Sequence, residues 1–101
     1  MKTYHLEPNL RLEKGLYVCE FSVRYCGYCR AMESRLKELE DEMGFVFVQV
    51  DIDLMPLVAK SFRIKAIPVV VLLQDGVELG RLEGSFEKPE IRQWLLGFDI
   101  L

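Results

Sequence analysis

The chain has 101 residues and half of them are apolar, so it is long enough to fold as one domain around a hydrophobic core without disulfide or metal staples. Charged residues make up 29% of the chain, and together with its high apolar content this composition excludes a disordered protein. Thirteen basic and sixteen acidic residues give a net charge of -3 with no basic run longer than two, so nucleic acid is not an expected partner.

The first fifteen residues form a weakly patterned lead-in that predicts irregular structure, with one helical turn near Asn9–Lys14. This stretch has no apolar segment of the length that a signal peptide needs, and no span of the sequence is long enough to cross a bilayer. We therefore expect a cytoplasmic protein without membrane contact. In that compartment a structural disulfide is unusual, so two close cysteines indicate catalysis or metal binding.

The elements after the lead-in are predicted in the order β-α-β-α-β-β-α. Strands are marked by short apolar, β-branched or aromatic runs, and helices by apolar residues at spacings of three and four. The predicted strands are Leu16–Ser22, Phe45–Val50, Ile67–Leu73 and Val77–Glu83, and two of the predicted helices are Cys26–Met43 and Lys88–Phe98. A further helix between the second and third strands is expected to be capped by Asp53, with Leu57, Val58 and Phe62 on its inner face.

The connections between these elements predict the sheet. Helical crossovers make the first strand pairs parallel, and the Asp75–Gly76 turn makes the last pair an antiparallel hairpin. We expect an α/β fold with a mixed four-stranded sheet flanked by helices on both faces. One domain covers residues 1–101, with its core at residues 16–98.

Three smaller features also give expectations. Gly80 and Gly84 indicate places where another backbone or a ligand comes close. Trp94 is read as core packing on the last helix. The acidic run Glu38–Glu42 is read as a solvated helix face, although acids sit unfavourably near a helix carboxyl end.

The chemistry is expected at Cys26 and Cys29, which lie between the first core strand and its helix. A sulfur at the start of a helix faces unpaired backbone N–H groups and the positive end of the macrodipole, which favour a thiolate. Cys29 lies one turn further on the same face and can attack a mixed disulfide formed at Cys26. A zinc site is the alternative, with Cys19 and His5 as its remaining candidate ligands.

From Leu16 to Phe98 the chain resembles the thioredoxin superfamily. The resemblance is carried by the element order, the Cys26-x-x-Cys29 motif, the Ile67-Pro68 pair that opens the third core strand, and the Asp-Gly hairpin. It implies the thioredoxin fold and a redox-active disulfide, with Cys26 as the attacking thiol and Cys29 as the resolving one.

The resemblance also implies roles for residues around the cysteines. Pro68 would be in the cis form, the backbone of Ile67 would pair with an extended substrate segment, and Gly84 would line the substrate groove. Glu20 falls where thioredoxins place a buried acid that moves a proton on and off the second cysteine. A buried carboxyl group has a raised pKa, which suits proton transfer.

Several residues depart from the pattern of the family. Tyr25 replaces the usual Trp, Gly27-Tyr28 is neither the Gly-Pro of thioredoxins nor the Pro-Tyr of glutaredoxins, and Gln49 replaces a Lys that usually partners the buried acid. Because the dipeptide between the cysteines tunes the redox potential, both directions of electron flow stay open.

Each candidate also has a purely structural interpretation. Glu20 can be a carboxylate that reaches water at a strand edge, and Pro68 an ordinary trans proline at a strand start. Tyr25 and Tyr28 either form the rim of a peptide-binding surface or only flank the thiols. Cys19 is most simply a small buried apolar residue.

We predict a monomeric thiol–disulfide oxidoreductase that exchanges its Cys26/Cys29 pair with protein disulfides through a mixed disulfide. Its catalytic residues would be the two cysteines and Glu20, with no metal and no organic cofactor. A thioredoxin-reductase-like donor would supply electrons. The alternatives are a glutathione-linked, glutaredoxin-like activity and a non-catalytic thioredoxin-like binding module. The substrate surface is expected at Tyr25, Gly27, Tyr28, Ile67, Pro68 and Gly84.

Overall fold

The structure is a computed structural model that describes residues 3–5 and 15–98. Its elements follow the predicted order, preceded by one additional short strand. The helical turn expected near Asn9–Lys14 lies outside the described residues. The elements are β1 (Thr3–His5), β2 (Leu16–Ser22), α1 (Gly27–Met43), β3 (Val46–Asp51), α2 (Pro56–Ser61), β4 (Val69–Gln74), β5 (Val77–Glu83) and α3 (Lys88–Leu96).

The sheet has the strand order β1-β3-β2-β4-β5. Strands β1, β3 and β2 are parallel, whereas β4 runs antiparallel to both β2 and β5. The four later strands form the predicted mixed sheet. Strand β1 adds a fifth member at the edge beside β3, and its three residues are too few to carry a strand pattern of their own.

Two apolar clusters lie on opposite faces of the sheet. On one face Val18 packs with Met32 and Leu36 of α1 and with Ile91 and Leu95 of α3, among others. On the other face are Phe21 and Val50, with side chains of α2 against them. Successive side chains of a strand point to opposite faces, and β2 therefore contributes to both clusters. Helices flank both faces, as predicted.

The start of α2 differs from the prediction. Asp53 does not cap this helix, because Met55 is the N-cap residue and makes no side-chain cap. Instead, Oδ1 of Asp51 accepts hydrogen bonds from the backbone N–H groups of Asp53 (2.9 Å) and Leu54 (3.3 Å), and thereby forms a turn after β3. The helix begins later, and Leu57, expected inside, is 81% exposed.

The acidic run at the end of α1 is only partly a solvated face. Glu40 is buried, and its Oε2 accepts a hydrogen bond from the backbone N–H of Phe47 at 2.6 Å. Glu42 pairs with Lys88 (2.8 Å) and Arg92 (2.9 Å) of α3. These ion pairs place cations near the carboxyl end of α1 and offset the unfavourable position of its acids.

Gly80 is a place of close approach, but the approaching group is a side chain and not the backbone or ligand expected from the sequence. A Cβ atom at this position would lie 2.6 Å from Cζ of Phe98, whose ring contacts Trp94 edge-on at a centroid distance of 5.3 Å. Trp94 is partly buried against the cluster of α1 and α3, in agreement with its interpretation as packing. No helix within residues 3–5 and 15–98 is long and apolar enough to span a bilayer.

Candidate active site

A tight turn joins the end of β2 to the start of α1. The backbone N–H of Cys26 donates to the carbonyl oxygen of Val23 at 3.3 Å, and the chain then enters the helix at Gly27. Cys26 is the N-cap of α1, and its Sγ accepts a hydrogen bond from the backbone N–H of Cys29 at 3.2 Å. The sulfur of Cys26 thus occupies the position in which an N-cap side chain satisfies a free helical N–H group.

Cys26 and Cys29 are joined in a disulfide, with their Cα atoms 5.2 Å apart. The two residues differ in accessibility, since Cys26 is half-buried whereas Cys29 is only 2% exposed. An incoming molecule can therefore reach the first sulfur much more readily than the second.

The residues around the disulfide form an exposed rim. Tyr25 and Tyr28 are 81% and 72% exposed. The guanidinium of Arg24 lies over the ring of Tyr25 at 5.5 Å, and Arg30 donates to the carbonyl oxygen of Arg24 at 3.2 Å. Gly27 has open space where a Cβ would lie. The two arginines were not among the residues predicted for the site.

The start of β4 lies at the same end of the sheet as the disulfide. Val69 is paired with Phe21 of β2, and the Ile67–Pro68 peptide bond just before it is cis. The backbone N–H of Gly84 donates to the carbonyl oxygen of Pro68 at 2.9 Å, and Gly84 has a φ of 109°, a left-handed conformation that favours glycine. The tertiary structure thus brings Pro68 and Gly84 together.

Glu20 is fully buried in β2, which lies between β3 and β4. Its interpretation as a carboxylate at a strand edge is therefore wrong. Nε2 of Gln49 donates to Oε1 of Glu20 at 3.5 Å, while Oε2 has no hydrogen-bond partner among the described residues. The pKa of Glu20 is raised to about 8, first by burial and then by the negative charge of Glu33, while the hydrogen bond from Gln49 and the charge of Lys37 oppose the shift.

A cavity of about 270 Å³ lies behind the disulfide. Cys29, Glu33 and Gln49 contribute to its wall together with Ser22, Val23, Arg24, Arg30, Asp51 and Leu54. Glu33 was missed in the sequence analysis. It lies four residues after Cys29 in α1, so the helical period alone places it on the same face.

The described residues offer no zinc site. Residues 3–5 and 15–98 contain no group of three or more His, Cys, Asp or Glu side chains that could hold a metal ion. Cys19 is 1% exposed within the apolar cluster on the α2 face, and burial raises the pKa of its thiol to about 12. Cys19 is therefore an apolar packing residue.

Comparison with known proteins agrees with this geometry. The chain is 38% identical over 86 residues to Thioredoxin H2 from Arabidopsis thaliana, and the match covers 84% of this chain and 64% of that protein. It is 31% identical to a thioredoxin from Echinococcus granulosus, with 81% of this chain and 77% of that protein covered. The match thus spans less than two thirds of the length of the Arabidopsis relative.

Solved structures show the same fold. Thioredoxin NaTrxh from Nicotiana alata has a TM-score of 0.74 and 30% identity, over 83% of this chain and 73% of that one. A mutant thioredoxin from Halobacterium salinarum NRC-1 has a TM-score of 0.88 at 16% identity, over 99% of this chain and 93% of that one. The model of the family described as Thioredoxin matches residues 2–96, and the chain therefore belongs to the thioredoxin family.

Proposed function

We propose that this chain is a thiol–disulfide oxidoreductase that reduces disulfides in other proteins. The observation that carries the proposal is the unequal environment of the two sulfur atoms. The sulfur of Cys26 lies at the start of a helix and accepts a backbone hydrogen bond, whereas Cys29 is hidden beneath it next to a cavity. Thiol–disulfide exchange requires an accessible attacking thiol and a protected resolving thiol, and this arrangement provides both.

The reaction proceeds in two exchange steps. In the reduced protein the thiolate of Cys26 attacks one sulfur of the substrate disulfide, so that a mixed disulfide forms and the other substrate sulfur leaves as a thiolate. Cys29 then loses its proton and attacks the sulfur of Cys26. The second substrate sulfur leaves and takes up a proton, and two electrons have passed from the chain to the substrate.

Glu20 is the proposed proton acceptor for Cys29. A carboxyl group with a pKa near 8 exchanges protons readily at neutral pH, and the cavity that Cys29 and Gln49 line provides a route for a proton to solvent. Because Oε2 of Glu20 has no hydrogen-bond partner among the described residues, this oxygen is available to take up the proton.

The substrate chain would bind at the rim of the disulfide. We assign its backbone contact to Ile67, next to Pro68 and Gly84, because these residues lie at the same end of the sheet as the cysteines. Tyr25 and Tyr28 offer exposed aromatic surface next to the cysteines, and Gly27 leaves open space where a Cβ would lie.

The remaining parts of the proposal follow from this reaction. The disulfide itself carries the electrons, so no metal or organic cofactor is required, and a reductase of the kind that serves thioredoxins would restore the dithiol. We further propose that residues 1–101 act as a single domain and a monomer in the cytoplasm, where such a reductase keeps thiols reduced.

Trapping of the intermediate tests the proposal. With the Cys29→Ser variant, a disulfide-containing protein such as insulin should accumulate as a mixed disulfide on Cys26, because no second thiol resolves it. The Cys26→Ser variant should form no such adduct, and Cys19→Ser, as a matched control, should turn over like the parent. Absence of any adduct on Cys29→Ser would contradict the mechanism and favour a binding module.

The same preparation separates the two enzymatic alternatives. Insulin reduction driven by dithiothreitol, followed by turbidity, should be fast, and a glutathione-coupled assay should show little turnover. The reverse result would assign a glutaredoxin-like activity.

A further inference from the structure

Three cations lie close together on the segment that leads from α2 to Pro68. Lys60 is in the last turn of α2, and Arg63 and Lys65 follow within five residues. All three side chains are exposed. Within residues 3–5 and 15–98 no acidic side chain pairs with any of them, and no hydrogen bond from their side chains is found.

The other cations of the described structure are engaged. Each has a partner in an ion pair, a hydrogen bond or an aromatic contact, as seen for Arg24, Arg30, Arg35, Lys37, Arg81, Lys88 and Arg92. Arg24 and Arg30 beside the disulfide have no acidic partner either, since their contacts are with an aromatic ring and a carbonyl oxygen. Of these five unpaired charges in the described structure, three are therefore concentrated at one place. Such a concentration creates a local positive potential that attracts anionic groups.

Two open clefts meet at this place. Arg63 and Lys65 line both of them, one of about 620 Å³ that also includes Lys60 and one of about 220 Å³. One acidic residue faces each cleft, Asp53 in the larger and Glu83 in the smaller. In the smaller cleft Arg81 is also present, but it is paired with Glu78 at 2.7 Å.

The smaller cleft adjoins the proposed substrate edge. Its wall includes Val69, the residue after Pro68, and Glu83, the residue before Gly84. In the proposed binding mode, residues a few positions from the target cysteine extend along this edge, where Arg63 and Lys65 share a cleft with Val69 and Glu83.

We propose that Lys60, Arg63 and Lys65 form a cationic docking site for acidic residues that flank the target disulfide of a protein substrate. This inference rests on the proposed function and specifies its substrates as protein disulfides that are flanked by acidic residues. Ion pairs at exposed positions contribute little each, and the docking site therefore acts mainly by accelerating encounter and by orienting the substrate.

Two synthetic peptides test the inference. Both carry the same disulfide loop, flanked by Glu residues in one and by Gln in the other. At low ionic strength kcat/KM should be higher for the Glu peptide by about three- to tenfold, and the difference should shrink in high salt because exposed charges are screened. Equal rates for the two peptides would overturn the docking site.

Charge-matched variants locate the effect. Arg63→Gln with Lys65→Gln should remove the preference for the Glu peptide. Gln74→Glu with Gln93→Glu changes the net charge by the same amount elsewhere, at the opposite end of β4 and on α3, and should leave the preference intact. Loss of the preference in both double variants would assign it to net charge and overturn the assignment to these cations.

A second variant distinguishes the loss of the docking site from a folding defect. Arg63 has a φ of 55°, a left-handed conformation that glycine adopts freely, so Arg63→Gly should fold and still weaken the preference. Reduction of the small disulfide 5,5′-dithiobis(2-nitrobenzoate) serves as the reference rate. If the parent protein reduces this compound normally but reduces both peptides at equal rates, the docking site is overturned and the proposed function stands. If the protein reduces neither this compound nor either peptide, the proposed function is overturned.

Discussion

Gln49 donates a hydrogen bond from Nε2 to Oε1 of Glu20 across the neighbouring strands β3 and β2, at a distance of 3.5 Å. An amide stands here at the position that holds a Lys in typical thioredoxins. A neutral donor offsets the burial of the carboxyl group less than an ammonium group would, since it carries no full charge. The raised pKa of Glu20 is consistent with this substitution.

The first prediction concerns the stability of the oxidised protein and its pH dependence. The pKa of Glu20 is about 8 in the folded state against an ordinary value of 4.5. Between these values the folded protein holds a proton that the unfolded chain releases, and the free energy of unfolding therefore falls as pH rises from about 4.5 to 8. The loss attributable to Glu20 should be on the order of 3–5 kcal/mol.

Urea unfolding of the parent and of Glu20→Gln at pH 5 and pH 8.5 measures this loss. Most of it should be absent in the variant, because Gln does not titrate. An identical decrease in both proteins would show that Glu20 does not bear the raised pKa.

The second prediction concerns the charged neighbours of Glu20. Glu33 raises the pKa of Glu20 and Lys37 lowers it, and the two are themselves paired at 3.4 Å. Glu33→Gln should therefore lower the pKa of Glu20, and Lys37→Gln should raise it. Titration of the Glu20 side-chain carboxyl carbon by NMR in the oxidised protein measures both shifts, and shifts in the same direction would contradict this account.

The third prediction concerns Glu40, which links α1 to the start of β3. Glu40→Ala should lower the free energy of unfolding by about 1–3 kcal/mol, because it leaves the buried N–H of Phe47 without an acceptor. Glu40→Gln keeps an acceptor and should be milder. Glu38→Ala on the same helix is the matched control, because it removes an exposed carboxylate whose ion pair with Lys88 (3.0 Å) contributes little to stability. Equal effects of Glu40→Ala and Glu38→Ala would refute the role of the hydrogen bond.

The fourth prediction concerns the contact between Gly80 and Phe98. Gly80→Ala places a Cβ against the ring of Phe98 and should lower the free energy of unfolding by about 1–3 kcal/mol. Displacement of that ring should also change the fluorescence of Trp94, the single tryptophan of the chain. In a double-mutant cycle with Phe98→Ala the effect of Gly80→Ala should largely disappear, and an unchanged effect would place its cause elsewhere.

Local pattern was sufficient for the order of the elements from β2 to α3 and for the reactive pair, but not for strand β1 or the start of α2. Short apolar runs placed β2 and β4, helical spacing placed α1, and the position of Cys26 before that helix indicated its place at the helix start. The start of α2 was predicted wrongly, because the side chain of Asp51 forms a turn with the following backbone N–H groups and delays the helix.

The sequence by itself determined the order of elements and the kind of chemistry, since hydrophobic period, turn residues and a two-residue cysteine spacing are all local properties. Only the tertiary structure decided that Glu20 is fully buried, that Glu33 and Gln49 line the cavity with Cys29, and that the cations after α2 adjoin the start of β4. These relationships depend on strand pairing and helix packing between residues far apart in the chain. Burial and charge proximity, which set a pKa or a docking surface, arise only when such segments meet.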